Sequence, residues 1–198
     1  MIQYSTTHRT NNMTDIVTDV GSTGYLLFYT GSPPANCADA ATGTLLLSLP
    51  CSATFGTVAS GVLTANAITS EAVAAAGTPG YWRLCTSSAG TTVVAQGLVF
   101  QTSTLTTSAA TASGNVLTFT STSPIVAGQT VSGTNIPAGT YVLDVTSTTV
   151  TLNQNVTSTG VASGATITFG GDCSFPTTTW TAGLTVNLTS FAITATGA

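Results

Sequence analysis

From Gly24 onward the chain is cut into short runs, either apolar throughout or alternating apolar with polar, and each closes on Gly, Pro, Asn or Ser. That punctuation prescribes brief strands joined by turns. Tyr25 to Tyr29 is aromatic and apolar and stops at Gly31-Ser32-Pro33-Pro34; Gly43 to Leu49 stops at Pro50. Gly61 to Asn66, Tyr81 to Thr86 and Thr92 to Gln101 read the same way, each bounded by Gly or Pro. Glu71 to Ala76 is read as a single helical turn behind a Ser70 cap. Between Thr111 and Gly171 five shorter runs follow at close spacing: Val116 to Thr120, Val126 to Ser132, Thr140 to Val145, Thr149 to Asn153 and Ala165 to Phe169. Alternation returns from Leu184 to Thr194.

A terminal strand needs partners, and the tail after Gly171 holds too little to fold alone. The expected architecture is therefore all-β: a discontinuous β-sandwich or jelly-roll-like domain of residues 24–108 plus 172–198, with residues 111–171 as an inserted small β module. Residues 1–22 stand apart as an extended N-terminal arm. They concentrate polarity in His8, Arg9, Asn11, Asn12, Asp15 and Asp19, while Met13, Ile16, Val17 and Val20 recur at three and four residues and predict one amphipathic turn or short helix. Such an arm gains order by docking, so it is expected to contact a neighbouring subunit.

Composition narrows function. Among 198 residues only two are Lys or Arg, both Arg, and six are Asp or Glu, whereas 44 are Thr. An average soluble domain is roughly a quarter charged. Hydroxyls and backbone must therefore solvate this surface, which suits a protein packed against neighbours. With 42% hydrophobic residues and a net charge of -4 the chain can build a core and is not expected to be disordered. No window of about 18 apolar residues would cross a membrane. The first residues lack a basic region followed by an apolar block, so the chain is expected to be made in the cytoplasm.

Most chemistries fail on residue type. A phosphate-binding loop of the Walker kind needs a lysine, and nucleic-acid binding needs a basic surface. A Ser-His-acid triad would have to use His8, the one histidine, which lies in the polar arm far from any nucleophile elbow. Asp15 and Asp19 share a helical face, but two solvated acids are the simpler reading. No enzyme activity, cofactor or metal is expected. Cys37, Cys51, Cys85 and Cys173 have no CxxC spacing. Cys37 and Cys51 flank a turn-rich segment and would pair under oxidation, whereas buried thiols are the default in a reducing compartment. The Asn-x-Thr triplets at Asn12, Asn155 and Asn187 follow from threonine abundance. Arg83 lies on a predicted strand with Tyr81 and Cys85 on its face, and is read either as a partner contact or as an internal pair with Tyr81 or Glu71.

The residues also carry a resemblance. Tyr4 to Ile16 (YSTTHRTNNMTDI), Gly24 to Pro34 (GYLLFYTGSPP), Gly43-Thr44-Leu45-Leu46, Tyr81-Trp82-Arg83-Leu84, Gly90 to Gly97 and Thr181 to Val186 together resemble a group of tailed-phage virion proteins. That likeness spans residues 1 to about 108 and 172 to 198. Val131 to Thr140 (VSGTNIPAGT) with Val150-Thr151-Leu152 is similar to a small β module of phage structural proteins. The resemblance implies a capsid decoration or cement protein on the virion surface, homo-oligomeric and bound to the major capsid protein. Its expected partner contacts are Tyr4, His8, Arg9, Asn11, Asn12, Met13, Asp15, Ile16 and Arg83. The alternative is a tail or fibre adhesion module whose Thr, Asn and aromatic side chains bind host glycans.

Overall fold

The computed structural model describes residues 4–171, 173–175, 179–188 and 191–195. Among these residues one helix, α1 (Thr6–Val20), precedes sixteen short strands: β1 (Tyr25–Thr30), β2 (Leu45–Pro50), β3 (Gly56–Ala59), β4 (Val62–Ala65), β5 (Glu71–Ala72), β6 (Pro79–Cys85), β7 (Val93–Gln101), β8 (Ser103–Thr106), β9 (Val116–Thr118), β10 (Thr130–Ser132), β11 (Val142–Val145), β12 (Thr149–Leu152), β13 (Thr166–Gly170), β14 (Cys173–Phe175), β15 (Thr185–Val186) and β16 (Ala192–Thr194). They form several small antiparallel sheets. The chain divides into two compact units, Met1–Val99 with Thr177–Ala198, and Phe100–Pro176.

In the first unit β7, β6, β1 and β2 lie side by side in that order. Trp82 pairs with Phe28 on one side and Gly97 on the other. Alternation places Trp82 and Leu84 on one face and Tyr81, Arg83 and Cys85 on the other, and both faces are buried. Phe28 meets Trp180 edge-on at 5.7 Å, and Trp82 meets Phe191 edge-on at 5.0 Å. On the opposite face Tyr29 and Tyr81 stack at 5.2 Å beside Leu27 and Cys85. Residues 179–195 thus supply aromatic side chains to a core that begins at β1.

The tail is also held by pairing. β15 joins β5 and β16 joins β4, which in turn pairs with β3. The run expected from Leu184 to Thr194 is two short strands, with residues 189–190 outside those described. Glu71 and Ala72, expected in a helical turn, are the strand β5. Two long-range bonds favour that outcome: Val73 donates to the Leu184 carbonyl at 2.9 Å and Ala74 to the Leu46 carbonyl at 2.8 Å.

Residues 6–20, expected within an extended arm, form a helix of 15 residues. Ser5 caps it, its side chain accepting the His8 N–H at 3.1 Å. The Gly21 N–H closes the other end on the Val17 carbonyl at 3.3 Å. Met13 and Val20 are buried, and the helix packs on β3 and β4. Threonine and asparagine are modest helix formers, so docking rather than propensity sustains its length. Its landing point is the two-residue turn Ser60–Gly61, where both residues have positive φ, 51° and 79°. That is the geometry of a tight β-hairpin turn. The Gly61 N–H donates to Thr10 Oγ1 at 3.1 Å, and Arg9 Cβ would stand only 2.9 Å from a Cβ at Gly61.

The second unit has two three-stranded sheets, β10-β13-β8 and β11-β12-β9. One apolar cluster draws on both, including Leu117, Phe119, Val142, Val150, Ile167 and Phe169. Phe119 and Phe169 meet edge-on at 5.8 Å.

Candidate interaction surface

At 3.6 residues per turn, the buried Met13 and Val20 fix which side of α1 faces the strands. The opposite side carries His8, Asn11, Asn12, Asp15 and Asp19, all exposed. Tyr4 precedes the helix but extends the stripe, its ring stacked on His8 at 4.9 Å and 45% exposed. Five of the nine residues expected at a partner contact are thus gathered on one face: Tyr4, His8, Asn11, Asn12 and Asp15. Asp19 completes the row.

The other four behave differently. Met13 is a core residue at 7% exposure, and Ile16 is half-buried beside it. Arg9 is half-buried, its stem against the Gly61 turn and its Nη2 3.5 Å from Thr6 Oγ1. Arg83 is 1% exposed and donates to the carbonyl oxygens of Cys37 at 2.6 Å and Asp39 at 2.8 Å. The guanidinium is out of a partner's reach and is satisfied within its own unit, where its bonds go to loop backbone rather than to Glu71. The cause is the loop from Gly31 to Gly43, which folds over that face of the sheet. Tyr81 Oη accepts from the Thr42 N–H and donates to the Thr42 carbonyl, and Gln96 Nε2 donates to the Pro34 carbonyl.

Two threonines flanking the stripe are internally satisfied. Thr14 Oγ1 donates to the Thr10 carbonyl at 2.9 Å and Thr18 Oγ1 to the Thr14 carbonyl at 3.1 Å. Among the described residues, the Asn11, Asn12, Asp15 and Asp19 side chains make no such bond within the chain. Charge along the helix runs against its dipole, with no acid in the first turn and no base in the last. His8 and Arg9 sit toward the amide end, and Asp19 beside the carbonyl end. Each such placement costs a few tenths of a kcal/mol to about 1 kcal/mol in an isolated helix.

Cys51 and Cys85 offer little nucleophilic chemistry. Burial pushes the Cys51 thiol up to about 12, with a backbone hydrogen bond at Leu26 opposing and Cys85 adding to the rise. Burial lifts Cys85 to about 11, against the pull of Arg83 and with a push from Cys37. Both are neutral thiols at ordinary pH. Cys37 and Cys51 form no disulfide. Among the described residues no cluster of three His, Cys, Asp or Glu side chains could hold a metal ion, and no helix is long and apolar enough to cross a membrane. The second unit has an open groove of about 490 Å³ lined by small residues such as Ala110, Ala112 and Gly160 and by Thr134 and Thr159. Its Asn135 amide is already bonded to the Gly160 carbonyl at 2.6 Å.

Comparison with protein-family models, with curated proteins and with solved structures finds no match.

Proposed function

We propose that this chain is a non-enzymatic decoration protein of a phage capsid, which binds the major capsid protein on the outside of the shell and stabilises it as one of many identical copies. In this reading the first unit is a sandwich or jelly-roll-like body and the second an inserted module. The observation that carries it is the chemistry of the strand surfaces. Among the described strands the exposed charged side chains are Glu71 and Asp144, whereas exposed strand positions are repeatedly threonine: Thr57, Thr64, Thr104, Thr106, Thr130, Thr166, Thr185 and Thr194. A broad contact with neutral, hydroxylated faces avoids the desolvation cost of buried ions while keeping hydrogen bonds available.

A second reading, adhesion to host glycans, is favoured by the groove lined by Thr134 and Thr159. The deciding experiment adds purified full-length protein to capsids lacking it, and measures bound stoichiometry and the temperature of capsid rupture. Saturable binding with a raised rupture temperature is expected. No binding to capsids, together with selective glycan capture on an array, would replace the first reading with the second.

A further inference from the structure

The exposed stripe of α1 has an internal symmetry. About the point midway between Asn11 and Asn12, Asn11 mirrors Asn12, His8 mirrors Asp15, and Tyr4 mirrors Asp19. All six are exposed on the side opposite Met13 and Val20. A surface that is complementary to its own half-turn rotation is what an isologous two-fold contact requires. The geometry points to a second copy of this chain as the occupant: α1 of one subunit packs antiparallel on α1 of the next, with the two-fold axis passing between Asn11 and Asn12.

In that pairing each His8 ring N–H faces the partner subunit's Asp15 carboxylate, a donor to an acceptor, and the two asparagine amides at the centre meet in pairs that can both donate and accept. Each Asp19 reaches the capped first turn of the partner's helix, beside the partner's Tyr4.

The dipole gives an independent reason. Asp19 stands in the last turn of its own helix, beside the carbonyl end, where a carboxylate is repelled. An antiparallel neighbour turns its amide end to that place. Placements unfavourable within one chain thus become favourable between two, a pattern that helix stability alone would select against. Thr14 and Thr18 keep their hydroxyls on their own backbone, whereas, among the described residues, the Asn11, Asn12, Asp15 and Asp19 side chains of the stripe do not bond within the chain.

A single polar helix face buries less than a standard interface, so the contact is weak, with a dissociation constant on the order of 0.1–1 mM. Repeated over an ordered array of subunits held at high local concentration, contacts of that strength are sufficient. The inference concerns the isolated chain and does not depend on the capsid assignment.

The test is sedimentation equilibrium of the full chain in low salt, up to about 1 mM, for the wild type, His8→Asp, Asp15→His and the double exchange His8→Asp/Asp15→His. Helical circular dichroism of each variant checks that α1 remains formed, which its exposure at these positions favours. The wild type is expected to associate reversibly to a dimer. Each single change should weaken association about tenfold, because the symmetric contact loses the interaction twice, and the exchange should recover it to within about threefold. A wild type that stays monomeric throughout overturns the proposal, as does a double exchange no better than its parents. Variants that lose capsid binding while self-association is unchanged also overturn it, assigning the stripe to the shell instead.

Discussion

The Arg83 guanidinium donates to the carbonyl oxygen of Cys37 at 2.6 Å, tying the centre of a buried strand to a loop that precedes it by 46 residues. With the second bond, to Asp39, the one interior cation acts as a clamp on backbone rather than as half of an ion pair.

Both bonds leave the one Nη2 atom, and replacing Arg83 by Lys keeps the charge but places the ammonium about one bond short of that position. Arg83→Lys should therefore lose about 1–3 kcal/mol in urea unfolding. Limited proteolysis should cut it between Gly31 and Gly43 faster than the wild type. Unchanged cleavage would mean that Tyr81 and Gln96 hold the loop unaided.

Gly97 lies flat under Trp82, and a Cβ there would stand 2.6 Å from the indole ring. The ring is fixed by its edge contact with Phe191, so it has little freedom to yield. Gly97→Ala should cost about 1–3 kcal/mol, read as a lower urea midpoint at constant slope.

Alkaline pH should weaken the fold through its thiols. An ordinary thiol ionises near 9.0, whereas Cys51 and Cys85 hold their protons to about 12 and about 11 when folded. Between pH 9 and those values the unfolded chain carries fewer protons than the folded one, so the unfolding free energy falls as pH rises; below about pH 8 this effect vanishes. Thermal melts from pH 8 to 10.5 should show the decline, and Cys51→Ala should make it shallower.

Asp19→Asn removes a carboxylate from the carbonyl end of α1. The isolated chain should gain a few tenths of a kcal/mol in thermal stability. The same change should weaken self-association at equilibrium, so stability and assembly move in opposite directions. A change that moved both the same way would count against a placement that serves the contact.

The strands that stood out in the sequence are those with strong side chains: Tyr25 to Tyr29, Tyr81 to Thr86 and Thr92 to Gln101 lie on or within a residue or so of β1, β6 and β7. Alternation also placed Arg83 on the face shared with Tyr81 and Cys85. What local pattern could not convey is that this face is covered, because the cover is a distant loop held by three side chains. The length of α1 was hidden for a similar reason. Its threonines and asparagines look like an irregular arm until β3 and β4 offer a surface to Met13 and Val20. That surface had a signal of its own, Ser60-Gly61 between Val58 and Val62-Leu63, which marks a tight hairpin. Glu71 to Ala76 shows the converse, a plausible helical turn overruled by distant strand partners. Of the candidate surface, the polarity of residues 8–19 was legible, but not which side chains share a face, since a row one turn apart requires the helix to exist.

Trp180 and Phe191 enter the core of the first unit from the far end of the chain, after the whole of the second unit. The second unit has an apolar core of its own. The first unit is complete only with Trp180 against Phe28 and Phe191 against Trp82. The core of the first unit therefore cannot be completed from residues 1–99 alone: the side chains that fill it lie beyond the second unit in sequence, so its closure is a long-range event.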